Sequence, residues 1–382
     1  MIIKIIKSIL DFLFSIFFLF LSLFYIFNYS SLKKIYAVKN IIIHKAGGFG
    51  HQCLINDMIR YSKRKYLYIL LFDRTRFNKY ISLCFRVPHI YIPICAGPKL
   101  TFAGAKLFKV GEYEGSFFNF IEFTVSLILR LIFKKRVVST QQYYNFFKKD
   151  NQNLLNSINF TKEKFKDHNS YGDIYFYFIK NHKKMKPKLP LNLYNSVIQK
   201  LDNNKGFNLN KICTIYLRQK GKDHKDLSNS SRVGSSKKEY YALLKYLISK
   251  NYTILLVGDD LFSTSDLEIF KGRVLNFNSL KISKDLFQIF SFLNNQLYIG
   301  EAGGAQFFGL YSKLSVGINF FPLGYAPPYN YILYKNVYKK NNKPISKIER
   351  ASLNWRYDLQ KYNYVIKDNT SEEMVKAIKL IV

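Results

Sequence analysis

The apolar and polar positions give the chain three textures. The first is Phe12–Phe27 (FLFSIFFLFLSLFYIF), a run with no charge and no polar face, preceded by Lys4, Lys7 and Asp11. A membrane-spanning helix needs about 20 apolar residues, with a range of roughly 17–25, so the run lies at the short edge of that length. Its end, Phe27-Asn28-Tyr29-Ser30-Ser31, lacks the small-residue pattern of a cleavage site. The expectation is a hydrophobic helix over residues 1–34 that attaches to a membrane, spanning it or lying in its interface. Lys33, Lys34, Lys39 and Lys45 come after the run, and the positive-inside bias then puts the body on the cytoplasmic side.

The second texture is an alternation of short apolar runs and helical stretches. Asn40–His44 predicts a buried strand, leading through Gly47-Gly48-Phe49-Gly50 into a helix around Gln52–Tyr61. Tyr66–Phe72 predicts a second strand and Ile90–Ile92 a third. Phe117–Phe133 carries Glu122 and Arg130 and ends in Lys134-Lys135-Arg136. It predicts a packed core helix, or one whose basic end faces lipid headgroups. The third texture, residues 140–210, is polar and rich in Asn and Lys, with Pro187 and Pro190, and predicts the domain connection.

From Lys211 the alternation returns and sharpens. Strands are expected at Ile212–Leu217, Tyr252–Val257, Val274–Phe277, Leu297–Ile299 and Ser315–Asn319. Helices are expected at Lys237–Ser249, at Lys284–Leu293, and from Gly303-Gly304 to Tyr311. Strand and helix in strict turn predict a doubly wound parallel sheet. The fold class is α/β, with two Rossmann-like domains over residues 35–200 and 201–382.

Composition bounds this picture without changing it. A chain of 382 residues is too long for one ordinary core, and 48% hydrophobic content argues against disorder. The 59 Lys and Arg against 25 Asp and Glu give +34, a surface that attracts nucleic acid, acidic lipid or phosphorylated metabolites. The excess is spread along the whole length, so charge alone selects none of them. Cys53, Cys84, Cys95 and Cys213 form no CxxC and no Cys/His pair at ligand spacing. Asp259-Asp260 offers too few ligands for an octahedral ion. No metal and no cofactor is expected.

The candidate chemistry gathers at strand ends. A strand, a Gly-rich turn and a helix together present unpaired backbone N–H groups that suit a phosphate or carboxylate. Gly47, Gly48 and Gly50 form such a turn, without the residues of a P-loop or of a GxGxxG fingerprint. His51 stands directly after it and is a candidate general base. A capping or packing histidine is the plainer alternative, and Asp57 further along suits a structural role or a pairing with a nearby lysine. Arg218 closes the strand Ile212–Leu217, where ligands of open sheets bind, and suits a bidentate grip on phosphate. Lys222 and Arg232 sit on the long polar loop behind it. Gly258 and Asp259 end the next strand, and Ser283 and Asp285 stand at a helix start; all four are donor-binding candidates, with a cap or first-turn carboxylate the common alternative for Asp285. Glu301, Gly303 and Gly304 combine a carboxylate for ribose hydroxyls with a helix N-terminus for phosphate. Asn319 ends the following strand, at the edge of the same pocket. Glu301 is the second candidate base.

This order of motifs resembles bacterial surface-polysaccharide glycosyltransferases of GT-B architecture, especially a group with a Gly-Gly-x-Gly-His loop, here Gly47-Gly48-Phe49-Gly50-His51. The loop is also similar to the Gly-Gly-Leu-Gly-Asn-Gln loop of α-1,2-fucosyltransferases, whose strand-ending Arg grips the donor pyrophosphate. The run Tyr216-Leu217-Arg218-Gln219-Lys220-Gly221 departs from their His-x-Arg-Arg-Gly-Asp at the His and the second Arg. The resemblance implies two domains facing a cleft, with Arg218 on pyrophosphate and Glu301, Gly303 and Gly304 on the nucleotide. The expected partners are a nucleotide-sugar donor, a glycan or lipid-linked glycan acceptor, and a membrane through the N-terminal segment, with no nucleic acid. Two other classes remain open: a pyruvyl or phosphate-group transferase on the same scaffold, and a non-enzymatic binder of anionic lipid or nucleic acid.

Overall fold

The computed structural model describes residues 13, 16–17, 19–45, 49–72, 78–93, 116–150, 186–204, 206–218, 237–259, 262–301, 303–320, 329–345 and 364–382. The chain divides into two compact units, Met1–Asn153 and Leu154–Val382.

In the first unit, residues 19–27 are helical and α1 (Tyr29–Tyr36) comes next, capped by Asn28, whose Oδ1 accepts the Ser31 N–H at 2.9 Å. The strands are β1 (Asn40–Lys45), β2 (Tyr66–Phe72), β3 (His89–Pro93) and β4 (Arg136–Ser139). They form a parallel sheet in the order β3-β2-β1-β4. Helices α2 (Phe49–Tyr61), α3 (Ile81–Phe85), α4 (Ser116–Leu131) and α5 (Thr140–Asp150) connect and cover them. Ile41, Ile43, Leu67 and Ile69 pack one sheet face against Ile121, Val125 and Leu129 of α4, joined by Ile26 and Ile35. β1 and β2 are buried on both faces, so they read as unbroken apolar runs rather than alternating ones.

Among the described residues no helix is long and apolar enough to cross a membrane. The helical stretch 19–27 instead lays one side on the core, with Ser22 and Ile26 fully buried. α4 matches the expected core helix. Helix α5 falls at the start of the stretch 140–210, where the sequence predicted only a connection, and strand β4, just before it, was not predicted.

Among the described residues, the first element of the second unit is α6 (Leu191–Asp202). It then alternates β5 (Ile212–Leu217), α7 (Lys237–Ser249), β6 (Thr253–Gly258), α8 (Thr264–Glu268), β7 (Val274–Leu275), α9 (Lys284–Leu293) and β8 (Leu297–Gly300). A 3-10 helix, Gly304–Tyr311, leads to β9 (Leu314–Phe320) and β10 (Tyr331–Tyr334). The sequence had predicted a helix there without distinguishing its type. The strands pair in parallel in the order β7-β6-β5-β8-β9-β10. Counted along the chain this is 3-2-1-4-5-6, the doubly wound order whose switch point lies between the first and fourth strands. A separate antiparallel pair, β11 (Asn336–Tyr338) and β12 (Val365–Lys367), precedes α10 (Ser371–Lys379). α7 buries Tyr240, Leu243, Leu244 and Leu247, the i, i+3, i+4, i+7 stripe of a helix on a sheet.

Candidate functional site

The switch point of the second sheet lies between β5 and β8, and there the strands end in Arg218 and Glu301. Glu301 is buried and accepts three donors. Its Oε2 takes the Arg218 backbone N–H at 2.9 Å, and its Oε1 takes the Asn319 amide at 3.1 Å and the Tyr240 hydroxyl. Burial dominates these contacts and raises the carboxyl to about 7, with the Tyr240, Asn319 and Arg218 bonds and the nearby Lys335 charge pulling the other way. Both oxygens are thus engaged inside the fold, where ribose recognition would need them at a surface.

Asn319 is fully buried and holds a left-handed backbone, φ 53°, which Asn tolerates better than branched residues. It exchanges reciprocal bonds with Asn369: the Asn319 N–H donates to Asn369 Oδ1 at 2.6 Å, and the Asn369 N–H to Asn319 Oδ1 at 2.8 Å. Tyr240, Asn319 and Asn369 therefore fix Glu301, which in turn fixes the backbone of Arg218.

Close approach explains two glycines. At Gly303 an added Cβ would stand 2.9 Å from both Arg218 Cδ and the Tyr216 hydroxyl, so the Arg218 stem runs directly over the turn. Gly258 has φ +102°, and a Cβ there would meet the Leu217 carbonyl oxygen at 2.2 Å. That approach lets the Asp259 N–H donate to Leu217 O at 3.0 Å. Gly304, exposed, starts the 3-10 helix.

Beside these turns lies a shallow hollow lined by Leu217, Gly258, Asp259, Phe277, Lys284 and Gln288, among others. Ser283 caps α9, accepting the Leu286 N–H at 3.4 Å, and the half-buried Asp285 occupies its first turn. Lys222 and Arg232 lie outside the described residues, as do Gly47 and Gly48.

In the first unit, Gly50 and His51 stand in the first turn of α2. His51 is exposed by surface area, so the lowering of its pKa by surrounding protein is moderated by water. The strand behind it holds a second imidazole. His44, at the end of β1, is buried, and its Nδ1 lies 2.6 Å from the Tyr68 hydroxyl. Burial, helped by the charge of nearby His51, lowers His44 to about 3 and keeps it neutral. Asp57 pairs with Arg60 at 3.0 Å, the structural role expected of it. On the other side of β1, a groove of about 300 Å³ opens between α4 and β4, lined by Ile43, Glu122, Phe123, Arg130, Ser139 and Gln142 among others.

Sequence reasoning missed His44, Tyr68, Tyr216, Tyr240, Lys284 and Asn369. Tyr216 was within reach: strand alternation puts it on the same face as Arg218, and burial raises its phenol to about 12. His44 was legible as a polar end to an apolar strand. Tyr240 and Asn369 reach the turn from distant elements and left no local signal.

No family model matches the chain, and no curated protein sequence matches it. Among solved structures it is similar to a family 9 glycosyl transferase of Veillonella parvula, at 10% identity and TM-score 0.48, over 90% of this chain and 96% of that one. The ADP-heptose LPS heptosyltransferase II of E. coli is similar at 10% identity and TM-score 0.39, over 85% and 97%. The Anabaena protein HepE, solved with UDP and glucose, is similar at 13% and 0.28, over 90% and 94%. Likeness at this level assigns the chain to no family.

Proposed function

We propose that the chain is a GT-B glycosyltransferase that moves a sugar from a nucleotide-sugar to a glycan or lipid-linked glycan acceptor in surface polysaccharide biosynthesis, without a metal. The observation that carries this reading is the β5–β8 switch point. A cationic strand-end residue lies across a glycine turn that has no room for a side chain, and a buried carboxylate with three donors holds its backbone. Open α/β sheets bind ligands in this crevice.

In this reading the Arg218 guanidinium takes the donor pyrophosphate, and Lys222 and Arg232 add charge from the loop. Gly303 and Gly304 let the phosphates approach the backbone, and Gly258 and Asp259 border the hollow that receives the rest of the donor. Glu301 and Asn319 are assigned to positioning rather than to proton transfer, because their polar atoms are engaged with one another and with Arg218. Deprotonation of the acceptor hydroxyl falls to His51, exposed behind the Gly47–Gly50 loop, with neutral His44 beside it. The body works at the cytoplasmic face of a membrane, where a lipid-linked acceptor is presented.

A thermal-shift screen across nucleotides and nucleotide-sugars tests the donor site. A nucleoside-diphosphate sugar should raise Tm, and Arg218→Ala should weaken its binding about 100-fold, the loss expected of a charge-assisted phosphate contact. Arg218→Lys should restore only part, since it cannot make the bidentate grip. No shift with any nucleotide-sugar, or full transfer by both Arg218→Ala and His51→Ala, would overturn the reading. Product mass on a defined glycan separates sugar transfer from pyruvyl or phosphate transfer.

A further inference from the structure

The exposed large apolar side chains of the first unit concentrate on two helices. In the N-terminal helical stretch, Leu13, Phe17, Phe20, Phe24 and Phe27 are all exposed, Phe20 at 66% and Phe24 at 70%. Their spacing of four, three, four and three residues draws one stripe along a helix. The opposite side carries Ser22 and Ile26, fully buried, with Ile26 set into the core beside Ile41 and Ile121. α4 repeats the arrangement. Ile121, Val125 and Leu129 go inward at four-residue steps, while Phe123, Leu127 and Leu131 point outward at the same interval, Phe123 at 66% and Leu131 at 68%. Just past the end of α4, the Phe133 ring lies 5.6 Å from Phe27 of the N-terminal stretch and 5.6 Å from Tyr36 of α1.

A face this apolar is not left to water without a use, and its charges narrow what covers it. Lys33, Lys39 and Lys134 are exposed around it, and Arg130 is exposed on α4 itself. Glu122 is the one acidic residue in the sequence stretches 13–45 and 116–139. Tyr29 and Tyr36, exposed at the helix junction, suit the headgroup level where an aromatic ring meets both apolar and wet surroundings. A helix with one side in the protein core cannot be ringed by lipid along that length, but it can lie in the interface with its outer stripe immersed.

We propose that the outer stripe of Leu13, Phe17, Phe20, Phe24 and Phe27 and the outer stripe of α4 form one surface that docks flat on an anionic bilayer, with both helices in the interfacial plane. This surface goes beyond the transfer reading and does not depend on it. Docking and nucleotide-sugar binding are separate measurements, and either can fail alone.

The full chain is mixed with vesicles of phosphatidylcholine, with and without phosphatidylglycerol, and sedimented. Binding should favour the anionic vesicles by about tenfold or more and weaken with salt, since each well-placed Lys or Arg adds about 1 kcal/mol. The pairs Phe20→Ser with Phe24→Ser, and Leu127→Ser with Leu131→Ser, should each lower the partition coefficient about tenfold or more. Because these side chains are exposed, far-UV circular dichroism and the nucleotide-sugar thermal shift should not change. Tryptophan reporters at Phe24→Trp and Leu131→Trp, read over the native Trp355 signal, should both be quenched more by bromines near the headgroup end of the acyl chains than by bromines near the bilayer centre. Equal binding to neutral vesicles at all salt concentrations would overturn the proposal. So would an unaffected Leu127→Ser/Leu131→Ser pair, or deepest quenching at the bilayer centre, which marks a spanning helix. A dimer that this pair dissociates, with vesicle binding intact, would assign α4 to a second copy instead.

Discussion

Both units place a parallel sheet's first strand next to its fourth, yet the ends of the two first strands carry different electrostatics. In the second unit an arginine ends the first strand and a buried carboxylate ends the fourth, tied together through the Arg218 backbone. In the first unit a buried neutral imidazole ends the first strand, tied to a buried phenol. The shared topology supplies the crevice, and the residues at its lip decide its chemistry. In the proposed reading the second unit's crevice holds an anion, while burial in the first unit keeps an imidazole unprotonated.

The sharpest way to break this contrast is Glu301→Ala. It leaves the Tyr240 hydroxyl, the Asn319 amide and the Arg218 N–H without their shared acceptor in a buried site. Stability should fall by about 3–5 kcal/mol, the cost of stranding buried polar partners, and donor binding should fall with it as Arg218 loses its anchor. Denaturant unfolding with a paired nucleotide titration reads both. A Glu301→Ala protein that bound donor normally would remove Glu301 from the positioning role.

The next test uses the sign of the pH response. Glu301 has its carboxyl raised from 4.5 to about 7, so the folded state holds a proton that the unfolded state has released. Its contribution is fully present below pH 4.5 and is lost as pH rises through 7, to a total of about 3 kcal/mol. His44 has its imidazole lowered from 6.5 to about 3, so there the unfolded state holds the extra proton. Its contribution is present above pH 6.5 and is lost as pH falls, by about 2 kcal/mol at pH 5. Between pH 4.5 and 6.5 the two slopes oppose one another. Glu301→Gln should remove the loss on the alkaline side and expose the His44 slope, while His44→Gln should do the reverse. Stability measured at pH 5, 6 and 8 checks this, and parallel profiles for both variants would contradict the assignment.

Burial decides how much of this was legible in the sequence. β2, β5, α7 and α9 were readable to the residue, because central parallel strands are apolar on both faces and their helices carry a full stripe. β4 escaped because Arg136-Val137-Val138-Ser139 is a short edge strand directly behind two lysines, and α5 because TQQYYNFFKKD is polar on most of its surface. The ends of strands were visible as candidate sites, so Arg218 and Glu301 were found. Their division of labour was not visible, because it depends on Tyr240 and Asn369, brought to Glu301 and Asn319 from 61 and 50 residues away. A carboxylate at a strand end reads the same in sequence whether it faces a ligand or three internal donors.

Ser283 gives the smallest effect and the same question in miniature. It was a donor-binding candidate by position, and the structure makes it the N-cap of α9 with a long bond of 3.4 Å to the Leu286 N–H. The corresponding device in the first unit, Asn28 on α1, holds its N–H at 2.9 Å. N-cap removal costs about 0.5–2 kcal/mol, and the better-formed bond should lie toward the upper part of that range. Ser283→Ala is therefore expected to lose about 0.5 kcal/mol and Asn28→Ala about 1 kcal/mol, both read by denaturant midpoint. The nucleotide titration then decides what stability alone cannot. A cap that only ends a helix leaves donor affinity unchanged when removed, whereas a hydroxyl that also touches the donor lowers it. With α9 beginning at the edge of the Gly258–Asp259 hollow, unchanged affinity would confine the donor's contacts on that side to the backbone and to Lys284.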